Sequence, residues 1–175
     1  LSESQAALGI DPDNLKLLSA RRVNDLWSVS YSQTYEGIDV MLTEVELRIV
    51  DDGHVMAFGV DYYDDIDIPT EPDLSITEAA GNAVKGLDKK KKYDAILNAK
   101  KPCILPIRSN GNVSFSLAYE FNINTDDHFE SYQSYVDAHS GEVIWRRNMI
   151  SNVQTEISAM GGIKKNNPHD SITME

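Results

Sequence analysis

Four histidines, one cysteine and 28 carboxylates are the side chains of this 175-residue chain that could carry acid–base, nucleophilic or metal chemistry. Zinc hydrolysis needs two histidines four apart on a helix with a glutamate between them. His54, His128, His139 and His169 contain no such pair, and each falls in a turn, a strand start or the tail. Cys103 follows Pro102, has no Cys-x-x-Cys mate, and reads as a core thiol. There is no Gly-x-Ser-x-Gly elbow and no glycine-rich phosphate loop. Asp61, Asp64, Asp65 and Asp67 are the densest carboxylates, and calcium would be their chemistry. They lack the Asp-x-Asp-x-Asp-Gly spacing and the distal glutamate of such a site. With Pro69 and Pro72 following, 61–73 reads instead as an extended, solvated linker with a hinge near 64–73. The inventory therefore points away from an enzyme and implies no cofactor and no metal. Gln33 is the polar residue out of place, on an otherwise apolar strand face, where a buried amide bonded to backbone is expected.

The elements around these residues are mostly strands. Trp27, Val29, Tyr31, Gln33 and Tyr35 alternate with Ser28, Ser30, Ser32 and Thr34, a period of two. The alternation resumes over 38–50 and 54–60, with Glu36-Gly37 and Asp51-Asp52-Gly53 as turns. The result is a three-stranded meander with Trp27, Tyr31 and Phe58 expected in its core. Residues 15–23 read as a further strand, with a helix as the alternative. A capping-box spacing at Ser2 to Gln5 and a stop at Gly9 suggest a short helix before it. Ser75-Ile76-Thr77-Glu78 opens the clearest helix, 76–87, whose apolar stripe includes Ala79, Ala80, Ala83 and Val84. Residues 93–99 suggest a further helical turn or two. Strands then follow at 103–108, 113–123, 131–137 and 142–149, with Leu117, Tyr119 and Phe121 on the inner face. A helix followed by antiparallel strands is an α+β layer.

Net charge is −12. Residues 1–73 hold 16 acidic and 4 basic side chains, whereas 74–175 hold 12 of each, so the first half carries the whole imbalance. Such a surface repels nucleic acid and anionic membrane, and favours solubility or a cationic partner. Lys89 to Lys92 read as a solvated helix end. No apolar run is long enough to span a bilayer. The chain starts at Leu1 with no visible signal peptide, so a processed piece of a longer protein is expected.

Two stretches resemble known domains. Tyr31-Ser-Gln33-Thr-Tyr-x-Gly37-Ile-x-Val40, a long strand, and then Asp-Asp-Gly53-x-Val55 is similar to the fungalysin/thermolysin propeptide domain. Ser75-x-x-Glu78-Ala79, Leu117-Ala118-Tyr119-x-Phe121 and Tyr135-Val136-Asp137-Ala138-x-x-Gly141-Glu142-Val143 is similar to the PepSY domain. In secreted peptidase precursors the second follows the first.

The resemblance implies two small α+β units, each an antiparallel sheet packed with a helix, the second PepSY- or cystatin-like. Their bounds would be 1–68 and 74–150, with 151–175 a junction toward a following domain. It further implies a secreted or extracytoplasmic pro-region that chaperones and inhibits a cognate zinc metallopeptidase catalytic domain. Exposed strand edges would be the docking surface, and 137–155 the segment nearest the cleft. The alternative is an extracytoplasmic PepSY-type protein-binding module with no peptidase attached.

Overall fold

Alternating patterns of this kind must each bury one face, and the chain answers with two antiparallel sheets. The computed structural model describes residues 9–98, 101–125 and 130–150. After a 3-10 turn at Pro12–Asn14 come β1 (Leu15–Val23), β2 (Leu26–Tyr35), β3 (Ile38–Asp39), β4 (Glu44–Val50) and β5 (Val55–Asp61). The first sheet has the order β1-β2-β4-β5, with β3 folded back onto the end of β2. The second sheet follows the helix α1 (Ile76–Ala83) and contains β6 (Tyr93–Leu97), β7 (Cys103–Ser109), β8 (Asn112–Thr125), β9 (Ser131–Asp137) and β10 (Val143–Asn148). Its order is β10-β9-β8-β6, and β7 pairs with the first half of the long β8.

α1 starts at a complete capping box. Ser75 Oγ accepts from the Glu78 N–H, and the Glu78 carboxylate accepts from the Ser75 N–H. Such a box satisfies two of the otherwise orphaned donors at the helix start. Ala79 and Ala83 are fully buried, and their small side chains let the helix approach the sheet closely. At the other end Arg146, from β10, donates to the carbonyls of Ala83 and Lys85. A guanidinium there satisfies carbonyls the helix cannot and meets the negative end of its dipole. Beneath α1 lie Ile104, Leu117, Tyr119, Phe121, Ile123 and Val136.

The two sheets share this core. Val40 and Ile66 belong to it, although both come from outside the second sheet. Val40 forms a parallel bridge with Ile104 at the open edge of β7, and the Met41 N–H donates to the Ile104 carbonyl at 2.8 Å. The stretch expected to be a solvated linker carries buried Ile66, and the Asp73 and Leu74 N–H groups both donate to the Ala138 carbonyl. It is a strap, tied at both ends.

Several expectations need correction. Residues 38–50 form two strands parted by a corner at 40–43. The helix ends at Ala83 rather than 87, because Gly86 takes a φ of +83° as the chain turns away. Residues 93–97 are a strand, pairing with β8 from Thr125 to Phe121. Trp27 and Phe58, expected in a core, are 40% and 59% exposed, and Tyr31 is only half-buried. Among the described residues the one helix packs on the second sheet. The helix expected near the N-terminus falls on residues 2–8, outside the described residues.

Candidate binding groove

α1 covers one face of the second sheet. The register places Cys103, Leu105 and Ile107 of β7, Ala118 and Glu120 of β8, and Gln133 and Tyr135 of β9 on the other. A small apolar cluster forms there, made of Cys103, Leu105, Ala118 and Tyr135 with Met41 against it. Beside it an open groove of about 750 Å³ remains. Leu105 to Arg108, Gln133 and Tyr135 line it, and Ile144, Trp145 and Arg147 extend it onto the edge strand β10. Its remaining walls belong to the first half of the chain: Met41 and Leu42 on one segment, Asp61 and Tyr63 on another.

Gln33 holds both of these walls. Its side-chain amide donates to the Tyr63 carbonyl at 2.5 Å, and its amide oxygen accepts from the Tyr63 N–H at 2.9 Å. Its backbone carbonyl accepts from the Val40 N–H, and its N–H donates to Thr43 Oγ1, which in turn donates to the Val40 carbonyl. Gln33 is thus the buried, backbone-bonded amide that its position suggested, and its function is positional. The corner it braces puts Leu42 at a φ of +61° with its side chain 75% exposed. A branched residue in the left-handed region costs roughly 1–2 kcal/mol. Strain of this kind persists where the surroundings impose it, and it concentrates at binding sites.

The opposite part of the groove is aromatic and cationic. Tyr135 and Trp145 meet edge-on with ring centroids 5.6 Å apart, and Trp145 stays 41% exposed. Arg108 donates to the Tyr63 hydroxyl at 2.9 Å, which raises its already high pKa. Arg147 forms no ion pair with a carboxylate among the described residues. Behind the groove, Gln133 Nε2 donates to the buried Glu120 carboxylate at 2.5 Å. Burial, reinforced by the charge of Glu120, pushes the Tyr135 hydroxyl well above its ordinary pKa and keeps it protonated. Burial likewise pushes the Cys103 thiol up to about 12, so it is no nucleophile near neutral pH. Apolar walls, aromatic rings and two guanidinium groups, Arg108 within the field of Asp61 and Arg147 beyond it, can hold a segment with aliphatic and acidic side chains. His139 bonds Asp73 through Nδ1 at 2.9 Å, away from the groove lining. Among the described residues no three of His, Cys, Asp and Glu are grouped to hold a metal ion, and Asp61, Asp64, Asp65 and Asp67 are exposed.

The other residues singled out in the sequence have structural placements. Gly37, Gly53 and Gly141 take φ of +77°, +90° and +75° in their turns. Tyr119 is buried under α1 and its hydroxyl donates to the Leu74 carbonyl. Ala138 is buried and its N–H donates to the Leu117 carbonyl. Of the segment 137–155, Ile144, Trp145 and Arg147 line the groove, and 151–155 lie outside the described residues. The residues that sequence reasoning missed are Leu42, Tyr63, Arg108, Trp145 and Arg147. The sequence signal that could have marked Trp145 is a large aromatic beside two arginines on the last strand of a sheet.

Asp137 organises the turn that carries β9 into β10. Burial works against its charged form. Hydrogen bonds from Ser116 and Ser140 and from the His139 and Ser140 N–H groups outweigh that and hold its pKa below the usual carboxylate range. A depressed folded-state pKa adds stability that is present above the unfolded value of ~3.9 and is lost as pH falls through the lower folded value. Asp137→Asn removes this contribution. The difference in urea midpoint between the parent and the variant should therefore be steady from pH 7 to ~5 and shrink below pH ~4.

No family model matches the chain, and no curated protein does. Among solved structures it is similar to the YpeB C-terminal domain of Bacillus megaterium, at 17% identity and a TM-score of 0.40, over 78% of this chain. The alignment spans 57% of that protein's chain. It is also similar to a protein described as a lipoprotein from Clostridium difficile 630, at 13% identity and a TM-score of 0.30, covering 84% of this chain and 88% of the other. Two antiparallel sheets with one short helix among the described residues make an α+β architecture. Among the described residues no helix is long and apolar enough to cross a membrane.

Proposed function

We propose that this chain is an extracytoplasmic, non-catalytic protein-binding module of PepSY type. Its groove takes an extended segment of a partner protein. The observation that carries this reading is the pair of exposed apolar side chains lining one groove: Leu42, held in a left-handed conformation, and Trp145. Tryptophan, tyrosine and arginine are the residues that dominate binding energy at protein interfaces. The rim arginines favour an acidic residue in the partner segment, and the apolar floor favours aliphatic ones. Selection of a random peptide library on the protein, followed by comparison with Trp145→Ala, tests the groove directly.

A second reading keeps the groove but supplies its occupant in cis, as the catalytic domain of a secreted zinc metallopeptidase for which this chain is the pro-region. The order of the two resembled motifs supports it, as does the location of Trp145 and Arg147 within 137–155. Covalent attachment would then raise the effective concentration of the partner to about millimolar. A His-Glu-x-x-His sequence encoded beyond Glu175 would favour this reading over the free-standing module.

A further inference from the structure

We propose, on the reading of the groove as a peptide site, that Arg147 rather than Arg108 selects its partner: a segment that places a carboxylate against β10 and aliphatic side chains along the rest of the groove. Both guanidinium groups belong to the lining, but the register separates them. Arg108 is opposite Val113, at the start of the long β8. Arg147 is opposite Gln133, which is opposite Asn122 toward the other end of β8. One bound segment therefore meets the two arginines at different places along its length.

Their surroundings differ. Arg108 is already engaged: its guanidinium donates to the Tyr63 hydroxyl at 2.9 Å and lies in the field of Asp61. Asp61 is in turn opposite Glu44 on β4, so a second carboxylate stands beside the first. A partner carboxylate brought to this end meets a guanidinium and two like charges, and gains little. Arg147 is exposed, and among the described residues no carboxylate pairs with it. The carboxylates nearest in the pairing of β8 and β9 are held elsewhere. Glu120 accepts from Gln133 behind the lining, and Glu130 accepts from Lys91 and Tyr93. In a chain with 28 carboxylates to 16 lysines and arginines, Arg147 is thus a charge that the fold itself does not use. A guanidinium offers a carboxylate two parallel N–H donors, a fit that a point charge lacks. Trp145 stands two residues away on the same strand, and Leu105, Ile107 and Ile144 supply the aliphatic contacts of the lining.

The test takes the tightest acidic peptide selected on the full chain from a random library, and the same peptide with its acid replaced by lysine. Both are titrated into the parent, Arg147→Glu, Arg147→Gln and Arg108→Glu, each first shown to melt cooperatively. The parent is expected to prefer the acidic peptide ~3–10-fold, since attraction in one case and repulsion in the other add. Added salt should shrink that ratio. Arg147→Glu should reverse the preference and Arg147→Gln should abolish it, whereas Arg108→Glu should keep its sign. Enriched peptides that carry no acid overturn the assignment to Arg147. So does an unchanged preference in Arg147→Glu, or a reversal in Arg108→Glu instead. In each of those cases a loss of affinity in Trp145→Ala would still uphold the groove. No enrichment at all, or no effect of Trp145→Ala, removes the groove and the role of Arg147 together.

Discussion

Replacing Tyr119 by alanine is expected to cost ~3–5 kcal/mol of unfolding free energy, the range for a large aromatic deleted from a packed core. The ring is 3% exposed and lies between Leu117 and Phe121 on the face that α1 covers. Its hydroxyl donates to the Leu74 carbonyl at 3.1 Å and so fastens the strap just before the helix begins. Alanine removes both the packing and that donor. Tyr119→Phe keeps the packing and removes only the hydrogen bond, and should cost ~0.5–1.5 kcal/mol. Urea titrations of the three proteins at pH 7 would separate the two contributions. Equal stability of the alanine variant and the parent would mean that α1 does not close this core.

Gly141→Ala should cost ~2–4 kcal/mol, for two reasons that add. The residue has a φ of +75°, where a Cβ costs roughly 1–2 kcal/mol. A Cβ there would also meet the Asn82 side chain of α1, and Leu74 Cδ1 at 2.9 Å. Overpacking of that order costs typically 1–3 kcal/mol, less where a side chain can swing aside, as that of Asn82 can. The turn from Asp137 to Gly141 is thus wedged against the helix as well as closing the β9–β10 hairpin. Asn82→Ala should recover part of the loss by opening that space, whereas the φ penalty should remain. Thermal melts of the single and double variants would show whether the recovery occurs.

These effects show what the sequence could and could not reveal. The turn at Asp137 to Gly141 and the capping box at Ser75 were legible because they are local: each satisfies its own hydrogen bonds within five residues. The meander was legible because period-two alternation needs no knowledge of the partner strand. Alternation does not say whether anything covers the apolar face, and so Trp27 and Phe58 were placed in a core that the described residues do not close. In β6 the outward Ile96, 59% exposed, masked the alternation that Tyr93 and Ala95 follow. The groove was not legible at all. Its walls come from residues 41–42, 61–63, 105–108, 133–135 and 144–147, brought together only by tertiary packing. Gln33 was the exception. A buried amide amid apolar neighbours requires a partner, and that partner proved to be the wall of the site.

The most direct measurement is the affinity of library-selected peptides for the protein and for Trp145→Ala, by calorimetry at matched salt. Trp145 lies on the edge strand and is 41% exposed, so the substitution gives up the edge-on contact with Tyr135, ~0.5–1.5 kcal/mol, and should leave a cooperative melt that confirms the variant is folded. Selected peptides should share an acidic residue next to aliphatic ones and lose at least ~10-fold in affinity, about 1.4 kcal/mol, against the variant. Failure to enrich any such sequence, or equal binding to both proteins, would contradict the assignment of this groove as the binding site.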